Sequence, residues 1–217
     1  FVGDDLDDDG LITLMIEAPV SHLIGDPATS RDLGITSEKL ISGDLFGLEK
    51  YLAPGTRVGE RAINDEAGKR AAIAEVCAWA EGIGARRPIV HRLTSVVDEL
   101  LMNAMFDAPT DELGRALFNS TARTATIKLE GRHAVEMHVG YDGRYVAISA
   151  IDNFGSLDKV KLLNHISKIY TDEEYKVRTS VAGAGIGLAS VFRSGGSFFF
   201  VSEAGVRTAV TVFFGRT

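Results

Sequence analysis

Glu99 and Asn103 stand four residues apart in the apolar run Glu99-Leu100-Leu101-Met102-Asn103-Ala104. In a helix that spacing stacks a carboxylate and a carboxamide on one face. Such a pair suits a water, a metal or a phosphate placed between an acid–base group and an oxygen donor. Downstream, Asp152-Asn153-Phe154-Gly155 follows an apolar stretch. An aspartate at a strand end can accept a hydrogen bond from an exocyclic amine, and a glycine beside it lets a planar ring approach the backbone. Further on, Gly183-Ala184-Gly185-Ile186-Gly187-Leu188 alternates glycines ahead of Ala189, Val191 and Phe192. Alternating glycines bring backbone amides close to a phosphate, and a helix N-terminus behind them favours its charge. The loop is not a Walker A sequence, which needs Gly-Lys-Ser or Gly-Lys-Thr, and Leu188 stands where a dinucleotide fingerprint needs glycine. Taken singly, each motif has a plainer counterpart: two polar residues on a core helix, an Asp-Asn turn, a glycine-rich structural turn.

The elements that must carry these residues follow from periodicity. Pro88 suits a first helical turn and Pro109 cannot continue a helix, so residues 89–108 are the most secure helix. Ile89, Leu93, Val96, Val97, Leu100 and Ala104 form its core-facing stripe, and Arg92, Ser95, Glu99 and Asn103 a separate polar stripe. Helices are also expected over 36–53, ended by Pro54-Gly55, over 64–82, capped by Asn64 or Asp65, and over 157–170. Period-two alternation marks strands over 124–129, 134–139 and 145–151, with Asp142-Gly143 turning the latter two, and over 197–201 and 206–214. The expected fold class is α+β: a two-layer sandwich with a mixed, mostly antiparallel sheet, plus a smaller N-terminal segment. Pro54-Gly55 and Gly59 punctuate the chain, so the expected division is 1–60 and 61–217.

Composition narrows the class. With 217 residues and 45% hydrophobic content, the chain can bury one core, and no run reaches the roughly 18 apolar residues of a membrane span. Of the net charge of −7, five charges come from Asp4, Asp5, Asp7, Asp8 and Asp9. No basic patch interleaves with aromatics, which argues against a nucleic-acid partner. Residues 5–10 match the first half of a calcium loop, yet position twelve of that loop is Ile16, so a solvated acidic segment is expected. Cys77 is the single cysteine, which fits a reducing, cytoplasmic setting and a small buried residue.

In this order, the three motifs resemble the N, G1 and G2 boxes of the GHKL superfamily, whose Bergerat ATP-binding fold occurs in sensor histidine kinases, type II topoisomerases and anti-sigma-factor serine kinases. The resemblance runs from about Pro88 to the end of the chain. It implies ATP bound with Mg²⁺ on a helix-lined face of the sheet. Asn103 matches the metal-binding asparagine and Glu99 the residue that polarises the attacking water or hydroxyl. Asp152 matches the aspartate that recognises the adenine amino group, with Gly155 beside it. Gly183, Gly185 and Gly187, with Leu188, match the phosphate loop, and Thr208 resembles the late-strand threonine near the adenine.

The chain departs from the family pattern at named positions. Phe154 and Ser156 replace both glycines of Asp-x-Gly-x-Gly, and Asp107 stands where many relatives carry His, Lys or Arg. Lys159, Lys161, Lys168, Lys176 and Arg178 fall in the segment that resembles the ATP lid, where a solvated face is the expectation. His91 is only twelve residues before Asn103 on the same helix, so it cannot reach a phosphate held there.

The expected function is an ATP- and Mg²⁺-binding signalling protein resembling the anti-sigma-factor serine kinases, acting on a protein partner by phosphorylation or sequestration. Two alternatives are the ATP-binding module of a two-component histidine kinase and a nucleotide sensor without catalysis. A homodimer is compatible with either. Residues 11–60 also faintly resemble the tail of a response-regulator receiver domain, through residues 21–24 and 40–52.

Overall fold

In a computed structural model, the described residues are 22–23, 30–118, 120–122, 125–158, 160 and 197–215. The elements in chain order are β1 (His22–Leu23), α1 (Ser30–Ser42), β2 (Val58–Ile63), α2 (Glu66–Gly82), α3 (Arg87–Met102), β3 (Val135–Tyr141), β4 (Tyr145–Asp152), β5 (Ser197–Glu203) and β6 (Arg207–Gly215). The strands form one open sheet in the order β1-β5-β6-β4-β3-β2. Every described pairing is antiparallel, so the sheet shows no mixed character among these strands. The fold is α+β.

The two faces of the sheet bury different partners. Because side chains alternate along a strand, Val146, Ile148 and Ala150 of β4 share one face with Val135 and Met137 of β3 and Val212 and Phe214 of β6. All of these are buried in one cluster with Val76 and Ala80 of α2 and Leu93, Val97 and Leu100 of α3. Ala147 of β4 points to the other face, where it joins Phe199, Phe213, Leu48, Tyr51 and Leu52. A short 3-10 turn, Leu48–Tyr51, therefore covers the second face, which a two-layer sandwich would leave bare. Tyr51 anchors that cover: its hydroxyl donates to the Leu45 carbonyl at 2.8 Å, and burial pushes its pKa up to about 12. Gly140 makes room for it, since a Cβ there would stand 2.5 Å from Cδ1 of Leu52.

α2 and α3 pack on each other as well as on the sheet. Asp65 caps α2 by accepting from the Gly68 amide at 2.7 Å, as expected of a residue just before a helix. Cys77 lies half-buried against α3, with Sγ 2.9 Å from Oγ1 of Thr94. Lys69 extends the stripe of Ala72, Val76 and Ala80 into the same interface and is itself buried. Its ammonium donates to Asp98 at 2.8 Å, lies 3.0 Å from the Met102 sulfur and sits 3.5 Å from Glu66.

Several expectations are corrected. Residues 124–129 form no strand among those described: Lys128 makes an isolated bridge to Asp65, and the Leu129 amide donates to the Asn64 carbonyl. The strand that pairs with β3 is instead β2. The helix expected over 36–53 is broken, because Gly43 and Gly47 adopt φ of 69° and 112°, which no helix contains. Helix 89–108 begins at Arg87 and leaves regular geometry at Asn103, where a π-helical turn, Asn103–Asp107, takes over. The helix expected over 157–170 lies almost wholly outside the described residues. No described helix is long and apolar enough to cross a membrane.

The Lys69 cluster yields a stability test. Asp98 is half-exposed, so water offsets part of the loss when the ammonium is removed. Lys69→Ala is expected to lower unfolding stability by about 2 kcal/mol in urea titration. A change under about 0.5 kcal/mol would mean that the pair contributes no more than an exposed one.

Candidate functional site

The polar stripe of α3 sinks into the protein as it runs. Arg92 and Ser95 are exposed, Glu99 is half-buried, and Asn103 is half-buried at the helix end. The Oε1 atom of Glu99 is buried, as are both Oδ1 and Nδ2 of Asn103. Among the described residues, neither atom of the Asn103 carboxamide has a hydrogen-bond partner. A buried polar group without a partner costs about 1–3 kcal/mol and calls for an explanation.

Asp152 ends β4 on the face that α3 covers, in step with Val146, Ile148 and Ala150. Thr208 of β6 is its partner across the strands, and both are buried. The Asp152 carboxylate is held by its own loop: Oδ1 accepts from the amides of Phe154 at 2.9 Å and Gly155 at 3.2 Å. Burial raises the Asp152 pKa, while hydrogen bonds from Phe154, Gly155 and Thr208 pull it down without cancelling that effect. The Thr208 hydroxyl also lies 3.3 Å from that of Ser202.

The loop after Asp152 is packed on both sides. Phe154 is buried, its ring stacked on His133 at 5.2 Å with the Arg132 guanidinium 4.9 Å from the ring centre. Asn153 ties the same turn down by donating to the Arg132 carbonyl at 3.2 Å. Gly155 adopts φ of 58°, and a Cβ there would meet the Glu203 carbonyl at 1.9 Å. The close approach at Gly155 is thus made by the turn between β5 and β6. On the other side, Ser156 donates its hydroxyl to the Ala108 carbonyl at 2.8 Å.

No family model matches this chain, and no curated protein does.

The structure therefore brings Asp152 and Thr208 together and ties their loop to the end of the helix that carries Glu99 and Asn103. Gly183, Gly185, Gly187 and Leu188 lie outside the described residues, as do Lys159, Lys161, Lys168, Lys176 and Arg178 and the acidic segment 1–10. Asp107 is exposed at the end of the π-helical turn, and His91 is exposed near the start of α3. Among the described residues, no group of three His, Cys, Asp or Glu side chains could hold a metal ion. The buried side-chain oxygens on this side of the sheet include the Asn103 Oδ1, the Glu99 Oε1 and the Asp152 carboxylate, all of types that bind hard cations.

Sequence reasoning missed Lys69 and the two loop contacts. A signal existed for the first: Lys69 occupies a core position of the stripe it shares with Ala72, Val76 and Ala80. The contacts of Phe154 and Ser156 depend on residues at 132–133 and 108, too far along the chain for any local pattern to announce.

The raised pKa of Asp152 gives a signed prediction. A carboxyl whose folded-state pKa lies above its ordinary value contributes stability present in full below that ordinary value and lost as pH rises through the folded one. Asp152→Asn keeps an oxygen acceptor for the two amides and removes the charge. Its melting temperature should therefore rise relative to wild type as pH goes from about 4 to 7. A gap that narrows or reverses over that range would show that burial does not penalise this carboxylate.

Proposed function

We propose that this chain binds Mg²⁺-ATP in the manner of the GHKL superfamily and acts on a protein partner in a signalling pathway, as the anti-sigma-factor serine kinases do. The observation that carries this reading is the Asn103 carboxamide, buried and without a hydrogen-bond partner among the described residues, on the side of the sheet that holds Asp152 and Thr208. Retaining such a group is costly unless a ligand uses it. Mg²⁺ takes oxygen ligands and commonly binds through one or two protein groups together with substrate phosphates. The Asn103 Oδ1 fits that role.

The other residues fall into complementary parts. Asp152 is an acceptor for an exocyclic amine, kept in place by two backbone amides. Glu99, one turn before Asn103, is the group suited to orient and deprotonate a hydroxyl or a water. Bound Mg²⁺ would neutralise charge on the phosphates during transfer. The fold and the helix-lined position of Asp152 support this assignment, and the phosphate loop would be the 183–188 segment.

A second reading is nucleotide sensing without transfer. It is favoured by the loop 152–156, where Phe154 and Gly155 are packed tightly against His133 and Glu203. A histidine-kinase module would need a phosphoacceptor other than His91, which lies near the start of α3 while Asn103 follows its end.

Melting temperature with and without Mg²⁺-ATP tests binding. Nucleotide at one hundred times its Kd should stabilise the wild type by about 2.7 kcal/mol. Asn103→Ala is expected to melt no lower than wild type without nucleotide, since it removes an unsatisfied group, and to lose the Mg²⁺-ATP shift. No shift in the wild type at millimolar nucleotide would overturn ATP binding altogether. With labelled ATP, turnover in wild type that is lost in Glu99→Ala supports transfer. Binding with no turnover in either protein supports sensing, and acid-stable phosphate on a partner separates serine from histidine chemistry.

A further inference from the structure

Hydrogen bonds link the two ends of the candidate nucleotide site through the backbone. The Asp152 Oδ1 accepts from the Gly155 amide at 3.2 Å. The next residue, Ser156, donates to the Ala108 carbonyl at 2.8 Å, across a separation of 48 positions in the chain. The Ala108 amide in turn donates to the Asn103 carbonyl at 3.0 Å, closing the π-helical turn. Three hydrogen bonds therefore connect the carboxylate of Asp152 to the backbone of Asn103.

That turn is the element of α3 with the least regular geometry. π-helical turns are rare, and they occur mostly as single turns at functional sites, held by contacts outside the helix. Ala104, Met105 and Phe106 pack it into the core, and the Ser156 hydroxyl adds a hydrogen bond to Ala108, the residue that caps it. The other side of the loop packs against the β5–β6 turn, where the Gly155 carbonyl accepts from the Gly205 amide at 3.4 Å and a Cβ on Gly155 would meet the Glu203 carbonyl. Ser156 thus joins a packed loop to a helix end whose shape sets where the Asn103 side chain stands.

We propose that Ser156 is a positioning residue that couples nucleobase recognition at Asp152 to metal binding at Asn103, by holding the Ala108 carbonyl and with it the π-helical turn. The proposal rests on the Mg²⁺-ATP reading for its ligands, while the Ser156–Ala108 bond and the turn belong to the protein alone. A glycine at 156 lacks the hydroxyl and would leave the two ends joined only by packing.

Two measurements test it. In the nucleotide-free protein, amide hydrogen exchange at Ala108 should speed up about threefold to tenfold in Ser156→Ala, the range for losing one hydrogen bond, and return to the wild-type rate in Ser156→Thr. In binding titrations, Ser156→Ala should weaken ATP about threefold to tenfold with Mg²⁺ and little without it, so the Mg²⁺-dependent tightening shrinks. Unchanged exchange at Ala108, or equal weakening with and without Mg²⁺, overturns the coupling. So does Ser156→Thr failing to restore either value. Failure of the wild type to bind nucleotide would overturn the Mg²⁺-ATP reading instead, and with it the coupling to ligands, leaving the exchange result to report on the turn alone.

Discussion

Burial of β4 on both faces is the constraint from which the rest of the arrangement follows. Val146, Ile148 and Ala150 meet α2 and α3, while Ala147 meets the cover built from Leu48, Tyr51 and Leu52. Because side chains alternate strictly along a strand, a slip of one residue would send the whole helix-facing set to the opposite layer. Two dissimilar apolar layers thus pin the register of β4, and the register decides that its last residue, Asp152, faces the helices. Pairing with β6 then places Thr208 beside it. The position of the carboxylate is a by-product of core packing, which gives it little freedom to drift.

Around that pinned strand the polar groups divide into two kinds. Lys69 is buried but compensated by Asp98 and Glu66, and its stem extends an apolar stripe. The Asn103 carboxamide and Asp152 are buried with their costs left open: one has no partner among the described residues, and the other keeps a raised pKa despite the amides that hold it. A chain selected for stability alone would relieve both, since Ala at one and Asn at the other remove the penalty. Both penalties fall on the helix-covered side of the sheet.

Legibility in the sequence followed the strength of local patterning. α2 was readable because Asp65 caps it and Ala-rich spacing continues behind, and the hairpin of β3 and β4 because Asp142-Gly143 separates two alternating runs. Gly143 takes φ of 91° at that turn, as such a dipeptide requires. β2 was not readable: it is a sheet edge carrying Glu60 and Arg61 on opposite faces, so alternation of polarity disappears. Arg61 lies toward the helices and is satisfied there by Glu75 of α2, a partner no local window contains. Residues 124–129 had the better pattern, with Ile127 and Leu129 indeed buried, yet among the described residues their links to the segment before α2 are an isolated bridge at Lys128 and the Leu129 amide. The π-helical turn was also hidden, since Ala104, Met105 and Phe106 continue the apolar stripe as if the helix were regular.

The residues that make this loop unlike its glycine-rich counterparts are also the ones that structure it most. Phe154 trades an open approach for a buried ring between His133 and Arg132, and Ser156 trades flexibility for a bond to the end of α3. Both exchanges lower the conformational freedom of the loop. Gly155, left between them, is the one position where a side chain cannot be accommodated, because the β5–β6 turn occupies its Cβ space. The loop thus retains glycine where backbone meets backbone and replaces it where a side chain can reach a neighbour. The corner is thereby fastened to the β5–β6 turn on one side and to the end of α3 on the other.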